Sequence, residues 1–216
     1  MTKRSYTSPL RAAASAATRE RIVAAAQNCF EELGFAGTTM RAIATRAGTS
    51  LESVNGTGAK RDLLMAAIHR ATSQVEIDGQ VHHLPEPMSV FDETDPVVAL
   101  ANLTRWIAQA NQRISRLWRA FDQAADTDPQ VRGDYADYLA RMRAESARVV
   151  RELGARKALR PDLEEAELAD LLWLAALPDQ HRRLCVLAGW SQDRYGQWLT
   201  WTAMTSLLAP GWVERA

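Results

Sequence analysis

The chain has 216 residues, 47% of them apolar, with 26 basic and 26 acidic side chains. That length allows one large domain or two small ones around a real apolar core, and no uninterrupted apolar stretch of about 18 or more residues exists to form a membrane-spanning helix. Two cysteines, Cys29 and Cys185, lie inside apolar helical patterns and read as buried small hydrophobes rather than as a disulfide framework.

The zero net charge hides an asymmetry. Residues 1–62 hold nine Lys/Arg and five Asp/Glu, a balance of +4, and residues 63–216 hold 17 and 21, a balance of −4. A basic head on an acidic body is the layout expected when only the head meets phosphates. The opening MTKRSYTSPLRAAASAA is basic but lacks the leucine-rich block of a secretory signal, so a cytoplasmic protein is expected.

Along the chain the apolar positions follow a helical period. Ile22, Ala25, Ala26, Cys29, Phe30 and Leu33 recur at three and four, so 18–33 is expected to be an amphipathic helix stopped by Gly34. Residues 1–14 are expected to be a basic tail, in which Lys3, Arg4 and Arg11 are read as a disordered end more readily than as a minor-groove arm. A short helix follows Thr38-Thr39 and ends at Gly48. Thr49-Ser50 then caps a third helix over 50–55, interrupted by GTG at 56–58, and a long helix over 60–77 carries Leu63, Leu64, Ala67, Ile68 and Ala71 on one face.

Residues 79–96 hold three prolines and no sustained period, and are expected to be a loop. Helical patterning resumes over 97–107 and 114–125. Asp128-Pro129 opens a helix to about 153, and Pro161-Asp162 opens another that Pro178 should divide. The last helix starts after Ser191 and ends at Pro210. With no strand-like alternation, the expected fold is all-α: a three-helix head over 1–60 and a larger helical body over 61–216, about nine helices in all.

The informative stretch is GFAGTTMRAIATRAGTSLESV, residues 34–54. Two short helices joined at Ala47-Gly48-Thr49 make a helix-turn-helix, in which the second helix enters the major groove and the first crosses the backbone. Thr38, Thr39, Arg41, Thr49 and Ser50 are hydroxyl and guanidinium groups placed to meet phosphates or base edges.

The segment TRERIVAAAQNCFEELGFAGTTMRAIATRAGTSLESV resembles the N-terminal domain of the TetR family of bacterial regulators. The resemblance rests on Phe30, Gly34-Phe35, Thr38-Thr39, Ile43-Ala44, Ala47-Gly48, and Lys60 with Leu63-Leu64. A fainter likeness at 189–199, GWSQDRYGQWL, is to the turn and final dimerisation helix of such proteins. The resemblance implies that Thr39 and Arg41 contact the backbone or a base, and that Leu51, Glu52, Ser53 and Asn55 lie on the recognition helix. It makes Lys60 a phosphate-binding lysine. Two departures stand out. Asn55 occupies a position where the family commonly has an aromatic, and VNGTGAK lacks the large apolar residue before the lysine. Asn55 either pairs with adenine or phosphate or ends the helix as a turn residue; both remain open.

For the body, the resemblance implies a homodimer with a small-molecule effector enclosed among its helices. Trp106, Trp118, Phe121, Tyr138 and Trp173, with Tyr135 beside them, are candidates for the effector pocket, two or three of them in contact with ligand and the rest core. The last helix is too broadly apolar to face only its own core, so Trp198, Trp201, Thr202 and Leu208, with Leu171 and Leu174, are expected at the dimer interface. His82-His83 is expected on loop surface, His181 at the surface in preference to the pocket mouth or an interface, and Glu164, Glu165 and Glu167 favour a helix start. No cofactor, metal site or catalytic constellation is expected.

The functional expectation is a regulator, in the family's usual logic a repressor, that reads near-palindromic double-stranded operator DNA and releases it when an effector shifts the fourth helix. The alternative is a small-molecule-binding helical protein whose head no longer reads sequence.

Overall fold

The computed structural model describes residues 9–77, 80–83 and 93–214, with side chains over 13–72 and 93–214. Ten α-helices account for most of the described residues, which form two compact units, one up to Arg70 and one from Ala71 onward.

In the first unit, α1 (Pro9–Gly37) begins inside the segment expected as a tail, and Lys3 and Arg4 lie outside the described residues. Gly34, at φ 70° and ψ 175°, breaks α1 near its end. Positive φ costs glycine nothing because it has no Cβ. Behind that break Thr38 is buried, and its hydroxyl donates to the Gly34 carbonyl at 2.7 Å. Helices α2 (Met40–Ala47), α3 (Leu51–Thr57) and α4 (Lys60–Ser73) follow. Ile22, Phe30, Ile43, Val54, Leu63 and Leu64 are each no more than 1% exposed, one small core drawn from all four helices. Arg70 on α4 donates to Glu20 Oε1 at 2.6 Å and Gln27 Oε1 at 2.9 Å on α1. The compact unit therefore takes in most of α4 and passes the expected boundary at residue 60.

An expectation fails just after α4. Where a continuing helix and a loop were expected, β1 (Gln74–Ile77) pairs antiparallel with β2 (Gln80–His83), Val75 opposite His82 and Glu76 opposite Val81. The signal was Asp78-Gly79 between two short runs, the dipeptide that favours a two-residue hairpin connection. His82-His83 thus belongs to a strand. The expected loop otherwise lies largely outside the described residues.

The second unit is built around α5 (Pro96–Thr127), one continuous helix where two were expected. Asp95 caps it and Pro96 occupies its first position, where a missing N–H costs nothing. Asp128 caps α6 (Pro129–Ala155) in the same manner. Helix α7 (Glu165–Ala176) starts a few residues after Pro161-Asp162, where the Glu164 N–H reaches Glu167 Oε2 at 2.9 Å. Pro178 then divides the helix as expected, giving α8 (Pro178–His181) and a π-helical turn over Arg182–Leu187. Helix α9 (Gln192–Leu207) is capped by Ser191, and Pro210 opens the short α10 (Pro210–Val213) instead of only ending α9.

Leu100 and Leu103 of α5, Val150 and Leu153 of α6, Leu168 and Leu172 of α7, and Leu207 of α9 form one apolar cluster. Leu153 is fully buried in it. Leu153→Ala should lower the unfolding free energy in a urea titration by about 2–5 kcal/mol with little change in slope.

Candidate nucleic-acid interface and the cavity of the body

The turn between α2 and α3 is set by glycine. Gly48 sits at φ 62° and ψ 42°, and the Thr49 N–H returns to the Ala44 carbonyl at 3.1 Å, which closes α2 and redirects the chain. Both helices start on hydroxyl caps: Thr39 Oγ1 accepts from the Ala42 N–H at 3.1 Å, and Ser50 Oγ accepts from the Ser53 N–H at 3.1 Å. Such caps each contribute about 1 kcal/mol. In α3, Val54 is completely buried, whereas Leu51, Glu52, Ser53 and Asn55 are exposed. One apolar anchor holds the helix down and leaves the rest of its surface to solvent.

Asn55 lies inside α3, which continues to Thr57, so Gly56 does not end the helix there. Arg41 is exposed near the start of α2, beside Thr39. Arg46, expected as a solvated charge, instead pairs with Glu32 at 2.6 Å, and its guanidinium holds the Glu32 carboxyl below the usual carboxylate range. Lys60 Nζ stands 4.3 Å from the centroid of the Phe35 ring, and Phe35 stacks on Phe30 at 5.8 Å. An aromatic thus sits beside the lysine after all, supplied from the end of α1 beyond the Gly34 break and not from the stretch before residue 60. Phe35 belongs to the sequence motif, but its spatial partner is not legible from spacing.

The body encloses a cavity of about 300 Å³ between α5, α6 and α7. Of the expected aromatics, Trp106 and Tyr138 line it. Trp118 and Phe121 do not: they are buried in an aromatic cluster with Tyr135 and Tyr138, in which the Trp118 and Phe121 centroids lie 5.7 Å apart. Trp118 Nε1–H donates to Asp179 Oδ2 at 2.9 Å, which satisfies the one polar atom of a buried indole. Trp173, half-buried on α7, is not among the lining residues. Sequence reasoning missed Asn111, a buried amide that reaches the cavity wall from α5.

Asn111 Nδ2 donates to the Ala176 carbonyl at 3.0 Å and to the Tyr195 hydroxyl at 2.8 Å. Burial pushes the Tyr195 phenol up to about 12, against the opposing pull of that bond. His181, expected at the surface, is only 5% exposed: it meets Gln192 Oε1 at 2.9 Å and stands edge-on to the Tyr195 ring. It is drawn inward because Pro178 turns the chain there. Of the expected interface residues, Leu171, Leu174 and Trp201 are 38%, 47% and 65% exposed, and Trp198 and Thr202 are half-buried. Leu208 is 2% exposed in the body's own core, where the Ala209 N–H bonds to the Ala158 carbonyl at 2.9 Å. Among the described residues no metal-holding cluster occurs, and no helix is long and apolar enough to cross a membrane.

Two short capped helices around a left-handed glycine, the second anchored by one buried valine, define a helix-turn-helix head. Residues 22–55 match the family model of bacterial regulatory proteins, tetR family. The fold of the whole chain is similar to that of solved regulators. These include a SmeT–triclosan complex (18% identity over 91% of this chain and 94% of that one, TM-score 0.65) and NalD of Pseudomonas aeruginosa, the secondary repressor of the MexAB-OprM multidrug efflux pump (17%, 91% and 99%, 0.65). TylP, a TetR regulator from Streptomyces fradiae, is similar at 18% identity over 93% and 91% of the two chains, with a TM-score of 0.63. No curated protein matches the chain.

Burial holds the His181 imidazole below its ordinary value of 6.5, with the Gln192 bond opposing the shift in part. The folded state therefore binds fewer protons than the unfolded one, so this contribution to stability is complete above 6.5 and is lost as pH falls below it. The melting temperature should drop between pH 7 and 5, and His181→Gln should flatten that part of the profile in calorimetry.

Proposed function

We propose that the protein is a homodimeric transcription regulator that binds a near-palindromic operator through α2 and α3 and releases it on binding a small molecule in the body cavity. The observation that carries this reading is α3: a helix held by Val54 alone, with Leu51, Glu52, Ser53 and Asn55 all facing solvent. Exposed leucine beside short polar groups suits base edges and thymine methyls better than it suits water. Arg41, Thr39, Thr49 and Ser50 supply the phosphate contacts, and Lys60 adds another from the start of α4. The same α4 carries Thr72, which lines the cavity, so one helix bears both a phosphate-binding group and a wall of the effector site. The similar regulators, a repressor of an efflux pump and one solved with triclosan, support a repressor released by an organic ligand.

The exposed Leu171 and Leu174 on α7 and Trp201 on α9, with Trp198 and Thr202 beside them, form the surface proposed for a second copy. Helices α7 and α9 pack together, and a two-fold pairing of both makes a four-helix arrangement that buries the stripe on each side. Leu174→Glu combined with Trp201→Glu should convert the dimer to a monomer in sedimentation at micromolar concentration. A wild-type protein already monomeric there would reject the surface.

Selection from a random DNA pool should yield a two-fold site whose half-sites are matched to the groove repeat. Arg41→Ala should then cost about 1–3 kcal/mol of binding, confined to one base position if it reads a base and uniform if it clamps phosphate. Asn55→Ala separates the same alternatives at its position. A pool that returns no sequence enriched over random DNA at physiological salt would favour the degenerate-head alternative.

A further inference from the structure

The wall of the body cavity is selective in its chemistry. Its buried lining is apolar, with Leu103, Ile114, Val149 and Leu172 prominent, and no charged side chain is buried there. The polar groups it does contain are already engaged. Asn111 gives its amide nitrogen to the Ala176 carbonyl and the Tyr195 hydroxyl, Ser146 Oγ donates to the Met142 carbonyl at 3.1 Å, and the Tyr138 hydroxyl is paired with Thr72. A ligand acceptor that took a hydrogen from Asn111 or Ser146 would have to break a buried protein bond.

Trp106 differs from them. It lines the cavity, and its Nε1–H is buried with no acceptor. An unpaired buried donor is costly, and a ligand oxygen that satisfied it would gain what the folded chain lacks. At the rim, Arg141 and Glu145 stand one turn apart on α6, and both are exposed. Glu145 is paired with Arg148 at 3.7 Å and the Arg141 guanidinium lies 5.6 Å from the Tyr138 ring centroid, so each rim charge already has a partner on α6. A charged group carried past them into the apolar interior would lose its hydration with no counter-ion to replace it.

We propose that the cavity takes an uncharged compound of two or three rings bearing one hydrogen-bond acceptor, and that the Trp106 indole N–H receives that acceptor and so sets specificity. This rests on the effector-site reading of the cavity given above. The volume of about 300 Å³ lies at the lower end of the range for small-molecule sites and suits a compact ring system.

The test is calorimetric titration of the full chain, without DNA, with four probes on one skeleton: 2-acetylnaphthalene, naphthalene, 2-naphthoate and 2-naphthylmethylammonium. The ketone should bind tightest, the hydrocarbon about tenfold more weakly, and both ions more weakly still. Trp106→Phe keeps a ring and removes the donor, so it should lower ketone affinity to that of naphthalene and leave naphthalene unchanged. Ala110→Leu, which adds bulk at the cavity wall, should weaken all binding, and circular dichroism melts check that both variants fold. Either ion binding as tightly as the ketone would overturn the proposal. So would an equal loss of ketone and naphthalene in Trp106→Phe, undiminished binding in Ala110→Leu, or no binding of the ketone at all. Operator DNA is absent from this titration, so a chain that takes the ketone yet keeps its grip on DNA supports the ligand class and removes only the release mechanism.

Discussion

Pro178 has no N–H to give and its ring crowds the carbonyl one turn back, so a helix that reaches it must part. In a continuous helix the Leu174 carbonyl would accept from residue 178. Here it accepts instead from Gln180 Nε2 at 3.2 Å, and the Ala176 carbonyl is taken by Asn111 from a different helix. A buried carbonyl left without a donor would cost about 1–3 kcal/mol. The amide of Asn111 therefore ties the end of α7 to α5, and through the Tyr195 hydroxyl to α9. Gln192 extends the same set of bonds, meeting His181 on one side and the Ala108 carbonyl on the other. The cavity, the break and α9 are thus joined by polar contacts.

In the head, a steric constraint sets the turn between α2 and α3. Gly48 adopts a left-handed conformation that other residues avoid, and a Cβ there would meet nothing within 4 Å, so backbone preference alone selects glycine. Thr38 folds its hydroxyl back onto the broken end of α1, which lets a polar side chain sit in the apolar core. These contacts are short in sequence.

Most helices were legible because amphipathic period and capping residues are local properties. Asp128-Pro129, Ser191 and Pro178 each marked a boundary that the structure has. Long-range partners were less visible. Sequence spacing placed six aromatics on body helices, but which of them face a cavity depends on how α5 and α6 meet, and only Trp106 and Tyr138 do. His181 followed two polar residues and preceded two arginines, a context that reads as surface until the turn at Pro178 brings it against Tyr195. Leu208 looked available to a partner because nothing local announces its pairing with Leu159 across the body. The hairpin after α4 was missed for a different reason: its strands are only four residues each, too short for alternation to stand out.

The single buried side chain of α3 has a consequence for how such a head can change over generations. Scaffold and surface are uncoupled there. Val54 secures the helix, and the exposed positions 51, 52, 53 and 55 make little demand on the core beneath. Replacements at those four places are therefore cheap in folding terms, and the outward face of this helix can be rewritten through many sequences while the chain keeps one architecture.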